Sequence, residues 1–126
     1  MNQTRSGKGV LVVEDDPALQ SLLRLVLEGE GYRVFHALDG QVGLDILTAH
    51  MAEIDLVITD LGLPTLGGVE LITLVKAIHH RAKIIGTSGY GTKNVREMVL
   101  QAGADEFVPK PFSMPDLIDR VKSLGV

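Results

Sequence analysis

The sequence has no cysteine, no excess of positive charge and no long apolar run. Without cysteine there are no disulfide bonds, no thiol nucleophiles and no zinc sites built on cysteine. The net charge of −4 and the pI near 5.5 argue against direct electrostatic binding of nucleic acid. No run approaches the roughly 20 apolar residues of a membrane-spanning helix, and the start, MNQTRSGKG, lacks a signal-peptide core. We therefore expect a cytoplasmic protein that does not bind membranes.

The composition is that of a globular domain. Of the 126 residues, 45% are hydrophobic and 22% are charged, which is enough to build one core and too short for two ordinary domains. Residues 1–7 are polar and contain glycine, so we expect a disordered tail there and a single domain over residues 8–126.

One pattern recurs five times along the chain. Short apolar runs begin at residues 10, 34, 56, 83 and 106, and they read VLVV, VFHA, LVIT, KIIGT and EFV. A stretch with helical spacing of apolar residues follows each run, which predicts an alternation of strands and helices.

The helices are marked by their caps and their apolar spacing. Asp16 with Pro17 predicts the start of the first helix, and Ser113 with Asp116 predicts the start of the last. The second helix, near residues 39–50, is the weakest because Gly40 and Gly43 interrupt it. In the fourth helix the spacing assigns four residues to the core: Val95, Met98, Val99 and Ala102.

Strands that are apolar on both faces and separated by single helices should pair in parallel. Right-handed crossovers then give a doubly wound α/β sheet with helices on both faces, whose binding sites form beyond the carboxyl ends of the strands. Charged and hydroxyl side chains stand at four of these ends: Glu14, Asp15 and Asp16 after the first strand, Asp60 after the third, Thr87 and Ser88 after the fourth, and Lys110 after the fifth.

Carboxylates gathered at one edge of a sheet raise one another's pKa values unless a cation joins them. Mg²⁺ is a suitable cation because it prefers oxygen ligands and keeps several waters. A metal beside Asp60 would suit that carboxylate to attack phosphorus and form an aspartyl phosphate. Lys110 and a neighbouring hydroxyl would then hold the phosphoryl oxygens. The hydroxyl could come from Thr87 or from Ser88.

The motifs LVVEDD, DLGLP, TSG and PKPF, in this order over nearly the whole chain, resemble the receiver domain of bacterial two-component response regulators. The resemblance implies a flavodoxin-like (βα)5 fold with strand order 2-1-3-4-5. It implies that Asp60 is phosphorylated. It also implies that Mg²⁺, for which Mn²⁺ can substitute, is bound by Glu14, Asp15, Asp60 and the backbone carbonyl of Gly62.

The resemblance also assigns the remaining polar residues of this edge. Lys110 corresponds to the lysine that contacts the phosphate, and Asp16 corresponds to the N-cap of the first helix. Ser88 is preferred to Thr87 as the hydroxyl because the family spaces that residue as Ser88 and Lys110 are spaced, with a small residue following. Phe107, three residues before Lys110, corresponds to the aromatic switch that alters the face made by the fourth helix, fifth strand and fifth helix.

The implied partner is a sensor histidine kinase or a histidine phosphotransfer domain, with an output protein or domain that the sequence does not specify. A homodimer that forms on phosphorylation is compatible with the family, although the charges of the last two helices do not predict one. Such a domain catalyses only its own phosphorylation and dephosphorylation, and its role is signalling.

Two other functions remain open from the sequence. One is an interaction module of the pseudo-receiver type that works without phosphorylation, although such a module is expected to lose the acidic pair, Asp60 or Lys110. The other is a Mg²⁺-dependent phosphatase that turns over an aspartyl phosphate. That enzyme needs a second acid near the nucleophile, and Gly62 stands where an Asp-x-Asp arrangement would place it.

Overall fold

A computed structural model describes residues 7–89 and 93–126. Within them the chain alternates five strands with five helices. The strands are β1 Gly9–Val13, β2 Arg33–Ala37, β3 Ile54–Asp60, β4 Lys83–Ser88 and β5 Glu106–Pro109. The helices are α1 Pro17–Gly29, α2 Gly40–Ala49, α3 Gly68–Ile78, α4 Lys93–Ala102 and α5 Met114–Ser123, and a short 3₁₀ turn, Met51–Glu53, precedes β3.

The strands form one parallel sheet in the order β2-β1-β3-β4-β5. This is the doubly wound, flavodoxin-like fold that the sequence predicted. The order reverses direction at β1 and β3, so the carboxyl ends of these strands flank the switch point at which such sheets bind ligands.

Two hydrophobic clusters cover the two faces of the sheet. Side chains alternate across a strand, so Leu11 and Val13 join the cluster beneath α2, α3 and α4, whereas Val10 and Val12 join the cluster beneath α1 and α5. All five residues of β1 are buried. A shift by one residue would move every side chain of β1 into the opposite cluster, so the packing of the two clusters fixes where its last residue lies.

The helix ends follow the predicted caps. The Asp16 carboxylate accepts a hydrogen bond from the Ala18 amide at 3.1 Å, and the Ser113 hydroxyl accepts one from the Asp116 amide at 3.2 Å. Gly31 after α1 and Gly103 after α4 have positive φ angles of 96° and 122°, which glycine adopts without steric conflict.

The glycines that weakened the prediction of α2 are required by close packing. A Cβ on Gly40 would lie 1.9 Å from the Leu66 carbonyl oxygen, and one on Gly43 would lie 2.9 Å from Val13 Cγ2. The helix therefore sits against β1 and against the loop after β3. It forms because of these tertiary contacts, which outweigh the low helix propensity of glycine.

The core assignment of Met98 was wrong. Its side chain is 49% exposed, whereas Val99 is fully buried. The helix α4 rests on the sheet at Gly86, where a Cβ would lie 2.7 Å from Val99 Cγ1. This close approach centres the buried face of α4 on Val99 and leaves Met98 at its border.

The predicted tail at residues 1–7 lies, except for Gly7, outside the described residues. The first described strand begins at Gly9, and the domain bounds 8–126 remain a prediction. No helix in the described ranges is long and apolar enough to cross a membrane.

Candidate functional site

Three of the predicted residues meet at the carboxyl edge of the sheet. Asp60 is the last residue of β3, Glu14 directly follows β1 and Lys110 directly follows β5. The Lys110 ammonium lies 2.8 Å from Glu14 Oε1 and 3.2 Å from Asp60 Oδ1. The parallel sheet thus brings together groups separated by up to 96 residues of chain, as the sequence predicted.

Asp15 completes an acidic group at the same place. Ligand oxygens of Glu14, Asp15 and Asp60 all lie within 4.8 Å of one another. Glu14 and Asp60 are buried, whereas Asp15 is exposed. A donor set made only of carboxylate oxygens, open to solvent on one side, fits a hard divalent cation that retains waters. We refer to Glu14, Asp15, Asp60 and Lys110 as the rim cluster.

Burial governs the electrostatics of Glu14. It raises the pKa of this carboxyl above the ordinary value of 4.5, although the hydrogen bonds from Lys110 and from the Asp16 amide act in the opposite direction. Burial would lower the pKa of Lys110, but the hydrogen bond to Glu14 and the charge of Asp60 outweigh it and raise that pKa. Burial outweighs the hydrogen bonds at Glu14 but not at Lys110, because Glu14 is 3% exposed and Lys110 is 23% exposed. The rim cluster therefore holds carboxylate charge at a free-energy cost.

The two candidate hydroxyls differ in their surroundings. Thr87 and Ser88 are both buried at the end of β4. The Thr87 hydroxyl is directed into the sheet, 3.5 Å from the Thr59 carbonyl oxygen. Ser88 is one residue closer to the edge, and its carbonyl accepts a hydrogen bond from the Lys110 amide at 2.8 Å. The choice of Ser88 over Thr87 stays a prediction from the spacing.

The loop after β3 runs beside the Asp60 carboxylate. A Cβ built on Gly62 would stand 3.7 Å from Asp60 Oδ2, so the main chain at Gly62 lies next to the predicted metal position. The Leu61 amide donates to the Thr87 carbonyl at 3.0 Å, which anchors the start of this loop to β4.

Phe107 is the last of the predicted residues. The Phe107 side chain is buried in the cluster that also contains Ile84 and Val99, so the ring lies inward. The Lys110–Pro111 peptide bond, which follows β5, is cis.

Gln20 supports the site and was missed from the sequence. Its side-chain amide is buried in α1 and donates to the carbonyls of Val12, Glu14 and Ala37 at 3.2, 3.3 and 3.0 Å. It therefore fixes the main chain on either side of the turn that carries Glu14. The only signal in the sequence was a glutamine directly after Leu19, on the apolar side of α1.

An open apolar cleft adjoins Lys110. Its volume is about 550 Å³, and it lies between the start of α1 and the loop that leads into α5. We call it the α1–α5 cleft; its lining includes Leu19, Leu22, Lys110, Pro111, Phe112 and Met114.

Known proteins are similar to this chain in sequence. Residues 10–122 match the sequence model of the response regulator receiver domain. The chain is 34% identical over 115 residues to the transcriptional regulatory protein CpxR of Escherichia coli and 39% identical over 113 residues to the KDP operon transcriptional regulatory protein KdpE. These alignments cover 91% and 90% of this chain but 48% and 49% of the relatives, so the chain spans about half their length.

Solved structures share the fold as well. A receiver domain from Clostridium thermocellum, 30% identical, has a TM-score of 0.82 with coverage of 93% of this chain and 98% of the other. The CheX–CheY–BeF3–Mg²⁺ complex from Borrelia burgdorferi contains a chain 26% identical, with a TM-score of 0.89 and coverage of 94% and 90%. With the family model and the curated relatives, this identifies the chain as a member of the response regulator receiver domains of two-component signal transduction systems.

Proposed function

We propose that this domain is a phosphoacceptor, in which Asp60 receives a phosphoryl group from a phosphohistidine donor in a Mg²⁺-dependent reaction. The observation that supports this most is the meeting of Asp60 with Glu14, Asp15 and Lys110 at the switch point of the sheet. The three carboxylates and one ammonium at this point do not belong to the hydrophobic core, and they suit phosphoryl transfer.

In the proposed reaction an Asp60 carboxylate oxygen attacks phosphorus and forms the new P–O bond. The P–N bond to the donor histidine breaks, and the imidazole nitrogen keeps the electron pair. Glu14, Asp15, Asp60 and the Gly62 carbonyl would hold Mg²⁺, which supplies charge neutralisation between the carboxylates and the incoming phosphoryl group. Water later hydrolyses the acyl phosphate and restores Asp60.

Lys110 and Ser88 bind the phosphoryl oxygens in this mechanism. Lys110 already lies 3.2 Å from Asp60 Oδ1, so it reaches an oxygen on the same residue after small movement. The Ser88 hydroxyl donates to a second oxygen. Together they stabilise the additional negative charge that the phosphoryl group brings to Asp60.

The donor would dock at the α1–α5 cleft. The cleft opens beside Lys110, and it presents Leu19, Leu22 and Met114 to a partner. Leu22 is 44% exposed, which is large for a leucine beside a charged site. An apolar face next to the histidine of a kinase or phosphotransfer domain would bury these side chains and bring the phosphohistidine to Asp60.

The output would pass through Phe107 and the face of α4, β5 and α5. Movement of Ser88 toward the phosphate changes the space next to β5, and Phe107 is buried against Val99 of α4. Phosphorylation therefore acts on a packed contact between the sheet and α4, which is a two-state element of the kind used in switches.

The test is the intact mass of the protein after incubation with acetyl phosphate, with and without Mg²⁺. We expect a Mg²⁺-dependent gain of one phosphoryl group that is lost in Asp60→Asn. The matched control is Asp55→Asn, because Asp55 lies in the same strand at its other end, where its carboxylate accepts from the Gly9 amide at 3.0 Å. An equal gain in Asp60→Asn would show that another residue is modified.

No gain in the wild-type protein, together with no binding of Mg²⁺, would overturn the phosphoacceptor function and favour an interaction module that works without phosphorylation. Ser88→Ala and Thr87→Val separate the two hydroxyls. Slower phosphorylation in Ser88→Ala alone is expected, and slowing in Thr87→Val alone would assign the role to Thr87.

A further inference from the structure

The loop that follows Asp60 is tied to the start of α2. Asp39 caps α2 by accepting from the Val42 amide at 2.8 Å, and the same oxygen accepts from the Thr65 hydroxyl at 3.2 Å. The Thr65 hydroxyl in turn accepts from the Gln41 amide at 3.3 Å, and the Gly40 amide donates to the Pro64 carbonyl at 3.3 Å. We call the contacts among Asp39, Gly40, Gln41, Pro64 and Thr65 the loop latch.

Thr65 adopts an unusual backbone conformation at the centre of this latch. Its φ angle is 67°, and it is the only non-glycine residue with positive φ in the described ranges. The Leu66 amide donates to the Pro64 carbonyl at 2.8 Å across it, which makes a γ-turn of the rarer, strained kind. A β-branched residue is disfavoured in this conformation, so the contacts of its hydroxyl must hold it there.

The other end of the loop has no side-chain cap among the described residues. Gly67 occupies the N-cap of α3, and no side chain of the described residues caps this helix. Asn or Asp would ordinarily fill such a position and accept from the helix amides. The loop over residues 61–67 is therefore fixed at its start by β4 and at its middle by the side chains at α2, while its end is closed by main-chain contact, the Gly68 amide donating to the Leu61 carbonyl at 3.1 Å.

We propose that Thr65 and Asp39 are positioning residues that hold the main chain at Gly62 beside the rim cluster in the geometry that Mg²⁺ requires. This inference rests on the proposed function, because it concerns the metal that phosphorylation at Asp60 uses. Gly62 is three residues from Thr65 and adjoins Asp60 Oδ2. A latch that stops the loop from moving thus fixes a ligand that has no side chain of its own to orient it.

The test is a Mg²⁺ titration of ¹⁵N-labelled protein followed at the Gly62 amide by NMR, with thermal melting in EDTA beside it. Thr65→Val removes the hydroxyl and keeps the β-branched shape. Thr65→Gly removes the hydroxyl and relieves the backbone strain. We expect both variants to bind Mg²⁺ about tenfold more weakly, while Thr65→Gly melts no lower than the wild type.

Two variants serve as controls. Thr73→Val removes a hydroxyl that bonds the Val69 carbonyl within α3 at 3.1 Å, and its Mg²⁺ affinity should equal that of the wild type. Asp39→Asn keeps an acceptor for both the Val42 amide and the Thr65 hydroxyl, so it should retain the affinity that Asp39→Ala loses.

The outcomes distinguish a failure of the loop latch from a failure of the proposed phosphoacceptor function. If the wild type binds Mg²⁺ and becomes phosphorylated, and both Thr65 variants bind as tightly as the wild type, the positioning role is wrong and the phosphoacceptor function stands. If the wild type binds no Mg²⁺, the proposed function fails, and the positioning role fails with it. Weaker binding by Thr65→Gly at undiminished melting temperature supports the latch, because loss of folding cannot cause it.

Discussion

Two charged clusters of this domain contain similar groups and behave in opposite ways. The rim cluster places Lys110 between buried carboxylates, and burial raises the pKa of Glu14. The second, which we call the edge cluster, consists of Arg33, Phe35, His50 and Glu53 beside the outer strand β2. There the hydrogen bonds from His50 at 2.8 Å and Arg33 at 3.0 Å lower the pKa of Glu53.

The difference lies in solvent and in the balance of charge. The edge cluster is exposed and pairs one carboxylate with two basic groups, while the Phe35 ring lies 5.4 Å below the Arg33 guanidinium and 4.9 Å from the His50 ring. The rim cluster is largely buried and has more carboxylates than cations. A cluster that stabilises the fold satisfies its charges, whereas one kept for a ligand leaves charge for that ligand to neutralise.

Removal of Lys110, the cation of the rim cluster, should have the largest effect on stability. Lys110→Ala leaves Glu14 and Asp60 without a cation, so we expect the free energy of unfolding in EDTA to fall by about 2 kcal/mol. The full loss for a buried pair is larger, but Lys110 is 23% exposed. Chemical denaturation measures the change, and added Mg²⁺ should restore more stability to this variant than to the wild type. If Mg²⁺ stabilised Lys110→Ala and the wild type equally, Lys110 and Mg²⁺ would not neutralise the same carboxylates.

Gln20, which holds the main chain next to the rim cluster, should be nearly as sensitive to substitution. Gln20→Met keeps the length of the side chain but removes the donor that three buried carbonyls share. Because the Ala37 carbonyl still accepts from the Glu14 amide at 3.0 Å, the loss should be about 1–2 kcal/mol. Gln41→Met is the matched control, because the side-chain amide of Gln41 donates to Asp45 on the surface. Denaturation midpoints of the two variants give the result, and an equal loss in both would contradict the role of Gln20.

The two clusters should also give pH profiles of opposite sign. Because the pKa of Glu14 is raised above 4.5 in the folded state, its contribution to stability is present below pH 4.5 and is lost as the pH rises through the folded pKa. The pKa of Glu53 is lowered, so its contribution is present above pH 4.5 and is lost as the pH falls through the folded pKa. Thermal melting in EDTA should show Glu14→Gln removing the first slope and Glu53→Gln the second. A Glu53→Gln variant that kept the acid slope would contradict the assignment.

The smallest effect is expected at the edge cluster itself. Arg33→Ala should change the free energy of unfolding by less than about 1 kcal/mol, because exposed ion pairs and exposed contacts of arginine with aromatic rings contribute little. The change should shrink further in high salt. A loss as large as that of Lys110→Ala would mean that exposure does not distinguish the clusters.

Most of the fold could be predicted from the sequence because local signals agreed with the tertiary structure. Asp16 and Ser113 cap their helices through their own side chains, and the inner strands β1, β3 and β4 are buried on both faces. The meeting of Asp60 with Lys110 could be predicted as well, since parallel strands send their carboxyl ends to one edge.

Other features could not be predicted because they depend on contacts distant in sequence. Met98 has the spacing of a core residue, but the depth at which α4 packs depends on Gly86 in another element. Thr65 carries no local signal for positive φ, and its conformation depends on Asp39, 26 residues earlier. The ion pair of Lys110 with Glu14 was also missed, because the spacing of Lys110 indicated only a contact with phosphate.

The order of the sheet leaves β2 and β5 at its two sides, and their residues discourage pairing with a strand from another molecule. β5 is four residues long and ends in Pro109, which has no amide hydrogen to donate. Arg33 and His36 of β2 are exposed, and charge along an outer strand opposes sheet extension. Copies of this domain at high concentration are thus discouraged from aggregating through their backbones.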